Sequence, residues 1–458
     1  MAKRYNKYDR INQPINQPLI KSIKYTETIT SFYIAAMISI FILYVGFGGY
    51  QSLTLNKLNL FYWISFLYIG FMAALGIGKL IAKKSKCPSP LKLIKDSSWT
   101  QRFVVLFLML TVLSALFSPY GKETIIGMSR YEGLLTISIY TVTFLLVSIF
   151  AKPAKWQLYL FASVMTVFCI IALLQLQGYN PFLLYPEGYN YFDADIAYSG
   201  AYLGTIGNVD FVSALFCIAI PIFLFSIIKL TNKAKYLLLI PLGLCILILL
   251  WSNVQSGILG VGLGCLLTLP FIFHDNKKIQ RGLLISVLSI LVVAIVIVCI
   301  YDFGGSGTLF EAHELINGRW NDNYGSTRLF IWRCVFEHVP DRLLWGGGPD
   351  TLSARVTEYF QRYNETLGIT VQGSIDAAHN QYLNILVNQG LLALICYLAA
   401  LAVSVIRFLR ARNNHLVVIL GGAVLCYCIQ AFFGISMFLI APFFWLSWAM
   451  LERAHNRN

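Results

Sequence analysis

Few side chains in this sequence have the type and setting to do chemistry. The fixed-spacing templates H-E-x-x-H, G-x-S-x-G, the P-loop and the nucleotide-binding glycine pattern are absent, and His313 beside Glu314 is too little for a zinc site. Two residues of one long hydrophilic segment, 302–389, stand out. Arg328 opens the stretch Arg328-Leu-Phe-Ile-Trp332, and a guanidinium offers oxyanions a planar, permanently charged fork. His379 begins His379-Asn380-Gln-Tyr382-Leu383, and an imidazole can take up or release a proton near neutral pH. Elsewhere, Arg130 in Met128-Ser-Arg-Tyr-Glu-Gly133 and Asp210 at the start of an apolar run are ionisable groups near a bilayer, which usually face a cavity. A snorkelling anchor for Arg130 and contact of Asp210 with interfacial water are the plainer alternatives.

Helical periodicity supplies the elements that must position these residues. With Ser326 as a candidate N-cap, Arg328, Ile331, Trp332, Val335 and Val339 fall at i, i+3, i+4, i+7 and i+11, so Arg328 is aligned with an apolar stripe. Gly346-Gly-Gly-Pro-Asp350 reads as a turn, after which Asp350 or Thr351 is placed to cap a second helix. That helix would turn Leu352, Val356, Tyr359, Phe360 and Tyr363 inward and pair Arg355, Glu358 and Arg362 on its exposed side. Ala377, Ala378, His379 and Asn380 lead into an amphipathic run, 381–387, that continues past Gly390. His379 therefore sits at a helix start, where the positive end of the dipole favours the neutral ring; a histidine that merely caps the helix would occupy the same place.

Composition settles the setting. Of 458 residues 57% are hydrophobic and 12% charged, against roughly 25% charged in a soluble domain. A bilayer core needs roughly 20 apolar residues per helix. Twelve such runs occur, at 28–50, 58–80, 103–117, 133–150, 156–176, 209–230, 236–251, 257–273, 283–301, 390–408, 416–434 and 437–451. The first follows a basic stretch, exceeds the apolar core of a secretory signal and has no convincing cleavage site after it, so it is expected to remain as an anchor. The expected fold is an all-α polytopic membrane protein of about 12 transmembrane helices, with one large helical extracytoplasmic loop before the last three spans.

The net charge of +14 would suggest nucleic acid in a soluble protein, but here its distribution matters more than its sum. Basic residues crowd the N-terminal tail and then every second loop: Lys83 to Lys95, Lys152 and Lys155, Lys233 and Lys235, Lys277 to Arg281, and Arg407 to Arg412. The remaining loops hold nine in total. Both termini are therefore expected in the cytoplasm, with no nucleic-acid partner. The resulting organisation is a basic tail 1–27, spans one to nine over 28–301, the large outer loop 302–389, spans ten to twelve over 390–451, and a tail 452–458. An outer segment, 177–206, gathers Tyr179, Phe182, Tyr185, Tyr189, Tyr191, Phe192, Tyr198 and Tyr202 among Gly, Pro and acidic residues. These rings suit either an interfacial belt or the faces of sugar rings. The cysteines mostly lie within apolar runs and form no C-x-x-C pair, so neither a disulfide framework nor a metal cluster is expected.

The Arg328-Leu-Phe-Ile-Trp332 stretch, the Gly346-Gly-Gly-Pro-Asp350 turn and His379-Asn380-Gln-Tyr382-Leu383 ending in Gly390-Leu391 together resemble the signature loop of the O-antigen ligase and polymerase superfamily. The span number, the loop's position and the Gly207-Asn208 opening of the sixth span are similar to that family as well. The resemblance implies a multi-span glycosyltransferase of the bacterial cytoplasmic membrane. It would move a glycan from undecaprenyl diphosphate to a glycan, lipid or protein acceptor on the outer face, with inversion and with no metal or other cofactor. In that reading Arg328 stabilises the diphosphate leaving group, and His379 is the base for the acceptor hydroxyl. Arg130, Asn208, Asp210, Trp332, Arg333, Asn380 and Tyr382 are expected to line the substrate site, although Asn at helix starts is also a common cap.

One departure bears on this reading. Many members carry an Arg after a Gln-Ser or similar pair, whereas here Gln255-Ser256 is followed by Gly257, so Arg130, Arg319 or Arg333 would have to supply the second phosphate contact. Two alternatives stand beside the ligase or polymerase: an oligosaccharyltransferase with a protein acceptor, and a transporter or flippase of lipid-linked oligosaccharide. A transporter would show charges deep in several spans and related halves, whereas this chain gathers its ionisable groups in one outer loop.

Overall fold

The computed structural model describes residues 17–81, 96–184, 202, 204–305, 307–364, 369–410 and 414–456. The basic stretch Lys83 to Lys95 and the aromatic residues Tyr185, Tyr189, Tyr191, Phe192 and Tyr198 lie outside them. The apolar runs are helices: α1 (Gln17–Ala36, prolonged by a π turn, Met37–Phe41), α2 (Gly49–Ile81), α3 (Trp99–Phe117), α4 (Leu134–Phe150), α5 (Lys155–Leu176) and α6 (Val209–Lys229). They continue with α7 (Leu239–Ser252), α8 (Gln255–Ile272) and α9 (Lys277–Ile300). Among the described residues eight helices are long and apolar enough to cross a bilayer, namely α2, α3, α5 to α9 and one further on in the chain, Leu391–Arg410. Two shorter apolar helices, α4 and His415–Ala431, join them. With α1 and a last helix, Ala441–Asn456, every one of the twelve runs is helical.

The chain is thus an all-α polytopic membrane protein. Lipid exposure is plainest on α9, where Ile285, Leu288, Val292 and Ile295 are each 59–66% exposed; a continuous surface of this kind suits hydrocarbon and not water. Charge inside the bundle is met locally: the buried Lys57 of α2 donates to the carbonyls of Phe41 and Ile42 at 2.7 and 3.2 Å, closing the end of the first helix.

The hydrophilic segment carries α10 (Thr308–Ile316), α11 (Arg328–Glu337), a hairpin of β1 (Tyr359–Asn364) and β2 (Ile369–Ser374), and α12 (Gln381–Gln389). Then come α13 (Leu391–Arg410), α14 (His415–Ala431) and α15 (Ala441–Asn456). α13 packs along α3, α15 along α4, and α14 between α6 and α8.

Three local expectations are corrected. The helix bearing Arg328 starts without a side-chain cap: Ser326 and Thr327 both have left-handed backbone, at φ 57° and 66°. The expected second helix is absent, since Leu352–Ala354 forms a single 3-10 turn and the chain then enters β1. Over five residues Tyr359-Phe360-x-x-Tyr363 satisfies either period, and the partner strand decides: Phe360 pairs with Gly373, whose missing side chain makes room for the ring. Arg355, expected on an exposed face, is half-buried and donates to Asn388 Oδ1 at 2.6 Å and to the Thr351 carbonyl at 3.4 Å.

The glycine-rich turn crosses the α12–α13 junction at backbone contact. Gly347 and Gly348 donate to the carbonyls of Val387 and Asn388 at 3.0 and 2.9 Å, and Leu391 donates to that of Leu343 at 2.8 Å. Gly346 and Gly390 have φ of +70° and +90°, and a Cβ on either would lie 2.3 Å from a carbonyl oxygen of the other segment. Only glycine meets both demands. The crossing fixes where α12, and with it His379, enters the bundle.

Candidate active site

A compact core outside the long spans holds the hydrophilic segment together. Ile331, Cys334 and Val335 of α11, Leu352 and Val356, Ile375 and Ala378, and Leu383 and Val387 of α12 are buried against one another. Each large aliphatic member contributes about 1.5–3 kcal/mol by leaving water. Arg328 lies one turn before Ile331, and His379 directly follows Ala378. The core therefore sets the distance between the two functional candidates.

Arg328 and Arg130 both lie within electrostatic reach of His379. The His379 pKa is lowered to about 3, chiefly by burial, with the charges of Arg130 and Arg328 acting in the same direction and Asp376 opposing them. Both guanidinium groups thus bear on one ring, which is neutral throughout the physiological range. His379 has φ 47°, left-handed backbone that a non-glycine residue adopts at a cost. Asn380 follows as the cap of α12, its Oδ1 accepting from Tyr382 N at 3.0 Å and Leu383 N at 3.1 Å. The expected helix start at this point is present, with the ring just ahead of the cap.

Arg130 is held from two sides. Its Nη2 donates to Asp376 Oδ1 at 2.9 Å, and Asp350 clamps its backbone. The Asp350 carboxylate accepts from the backbone N–H groups of Ser129, Arg130 and Glu132 at 3.2, 2.8 and 3.3 Å and from Ser129 Oγ at 3.0 Å. Expected as a helix cap, Asp350 thus serves another loop, and its own φ of 53° would not begin a helix. Burial raises its pKa while the donated N–H groups oppose that rise. Arg130 Nε has no hydrogen-bond partner among the described residues, so the guanidinium keeps a buried donor for a further acceptor. Arg328 donates from Nη1 to the Gly325 carbonyl at 2.8 Å.

Aromatic rings border this cluster. Trp332, one turn beyond Arg328, stacks on Phe433 (30° between planes) and meets Phe432 edge-on (81°), and its buried Nε1 lacks a hydrogen-bond partner among the described residues. Tyr382 donates from its hydroxyl to the Cys428 carbonyl at 2.8 Å and also packs on Phe432.

Other sequence candidates lie elsewhere. Arg333 is exposed and bound to Asp322 at 2.5 Å, and Arg319 to Glu314 at 2.6 Å. Of the three arginines considered for the second phosphate contact, Arg130 is the one whose charge acts on His379. An Arg at position 257 has no space, since even a Cβ there would approach Ser213 Cβ to 2.6 Å. Asn208 caps α6, accepting from Asp210 N at 2.7 Å, and Asp210 lies beside Tyr202 at the α6 start.

Sequence reasoning passed over Asp376 and Glu132. Asp376 precedes His379 by three residues, and that proximity was the available signal. Glu132 accepts from Tyr140 at 2.7 Å, and burial raises its pKa well above the usual range. The described residues contain no group of three or more His, Cys, Asp or Glu placed to hold a metal ion.

Residues 240–398 match the family model described as O-antigen ligase, a range that contains Arg328, Asp350, Asp376 and His379 and excludes Arg130. No curated protein matches the chain. Over that range, which holds the loop motifs, the chain is similar to the O-antigen ligase family.

Proposed function

We propose that this membrane enzyme of the O-antigen ligase and polymerase type transfers a glycan from a lipid diphosphate, such as undecaprenyl diphosphate, to an acceptor hydroxyl at the membrane face that carries 302–389. The observation that carries this reading is the convergence of Arg130, Arg328 and neutral His379, drawn from two distant parts of the chain.

The chemistry follows from charge. The diphosphate docks between the guanidinium groups of Arg130 and Arg328, each able to give a forked pair of charge-assisted hydrogen bonds. Its negative charge offsets the positive charges that depress the His379 proton affinity, so donor binding turns a very weak base into an effective one. The acceptor hydroxyl attacks the anomeric carbon from the side opposite the diphosphate and gives its proton to His379. The carbon–oxygen bond to phosphate breaks, inversion results, and the leaving group keeps its charge between the two arginines. No nucleotide is required because the donor linkage supplies the driving force. Trp332, with Phe432 and Phe433 behind it, offers a flat face for a sugar ring next to Arg328. Asp376 orients Arg130 and is the carboxylate that partly offsets the depression of the His379 proton affinity by the two arginines.

Purified enzyme incubated with undecaprenyl-diphosphate-linked glycan and an acceptor should raise the acceptor mass by one glycan. His379→Ala should lose that activity by about 10²–10⁴-fold, the usual worth of a general base, with unchanged expression and melting. Full activity in that variant would remove His379 from the mechanism.

A further inference from the structure

At the other end of the bundle, helices α1, α5, α6, α14 and α15 enclose a cavity of about 520 Å³. Its walls are apolar, formed by residues such as Ile34, Ile222, Phe443 and Leu446. Of its polar lining residues, Lys155, Gln157, Asn414 and His415 stand at the starts of α5 and α14, and Ser226 and Ser447 line it further in. This is the face where the basic loops cluster, opposite the end that carries 302–389, so the cavity is separate from the transfer site.

The polar end is built to meet an acceptor. Gln157 is only 4% exposed; its Oε1 accepts from Ala154 N at 3.0 Å, while its Nε2 has no hydrogen-bond partner among the described residues. A buried amide donor lining a cavity calls for an oxygen there. Lys155 beside it is exposed, and α5 and α14 both begin at this end, so two helix N-termini add positive potential. Trp156, half-exposed at 50%, marks the level at which indole rings sit among lipid headgroups. The cavity below it therefore lies at hydrocarbon depth.

The geometry points to a bound anionic phospholipid, one acyl chain filling the cavity and the phosphate held by Gln157 and Lys155. Charge selects the anionic headgroup, because the mouth offers donors and a cation. Depth selects the chain. The lipid-linked donor is a poorer fit, since its diphosphate reacts at the opposite face. This site is independent of the transfer reaction and stands or falls separately from it.

The test uses the full-length protein in nanodiscs containing equal dioleoyl-phosphatidylglycerol and dioleoyl-phosphatidylcholine, followed by release into detergent and native mass spectrometry. The wild type should retain one phosphatidylglycerol, enriched over phosphatidylcholine by about fivefold for the single surface Lys. Ile222→Trp, which fills the chain pocket, should retain none. Lys155→Glu and Gln157→Leu should bring the enrichment close to unity; Lys155 is exposed, so Lys155→Glu changes only the charge at the mouth and reports even if Ile222→Trp or Gln157→Leu fails to fold. Equal retention in all four proteins, equal retention of both lipids by the wild type, or recovery of a polyprenyl phosphate spiked into the same nanodiscs in place of phosphatidylglycerol would overturn the proposal.

Discussion

Arg130 and Asp376 are 246 residues apart in sequence and 2.9 Å apart in space. Their ion pair ties the short loop between α3 and α4 to the approach to α12. One partner would carry the phosphate and the other leads by three residues to the proposed base. The exposure of the pair, 24% and 31% of the side chains, keeps its contribution to stability small; its consequence is orientation.

That division between orientation and stability can be measured. Asp376→Asn should cost less than about 1 kcal/mol of stability yet raise the KM for lipid-linked donor, because Arg130 loses its anchor. Wild-type kinetics in this variant would show that the ion pair is incidental. Asp350→Ala should behave differently. It strips the acceptor from three backbone N–H groups and one hydroxyl, so a loss of stability of about 2–3 kcal/mol is expected together with inactivity, read by thermal melting in detergent.

The four arginines weighed for the phosphate site, Arg130, Arg319, Arg328 and Arg333, should separate cleanly into two classes. Arg130→Lys and Arg328→Lys each keep the charge and lose the planar fork, and about a hundredfold loss in kcat/KM is expected. Arg319→Ala and Arg333→Ala remove exposed pairs and should leave transfer within about twofold of wild type. A severe defect in Arg333→Ala, measured by acceptor mass shift, would return that residue to the phosphate site.

Protonation of His379 gives a pH signature. Its folded pKa of about 3 lies below the ordinary 6.5, so the unfolded chain binds the proton more readily than the folded protein. The stability contribution is full above about 6.5 and declines as pH falls toward about 3. The kcat/KM for donor should accordingly show no loss between pH 8 and pH 6 from protonation of free His379, and Arg130→Gln should move its titration upward, as observed by imidazole NMR. An inflection near 6.5 that His379→Ala abolishes would contradict the buried, arginine-flanked ring.

What the sequence determined by itself was everything governed by local or one-dimensional physics. Runs long enough for a bilayer became helices, because backbone groups in hydrocarbon must bond within their own segment. The stripe from Ile331 to Val335 became a buried face behind Arg328, and the amphipathic run after Asn380 became α12, since both periods belong to a single helix. Tertiary structure decided what depends on partners remote in the chain. The Tyr359 to Tyr363 stretch fits strand and helix equally over so few residues, and pairing with 369–374 made it a strand. Asp350 had the look of a helix cap until three N–H groups from the Arg130 loop claimed its carboxylate. No spacing rule could favour Arg130 over Arg319 and Arg333 as the proposed second arginine. That choice rests on which guanidinium the packed helices carry to His379 and which ones nearby carboxylates hold at the surface.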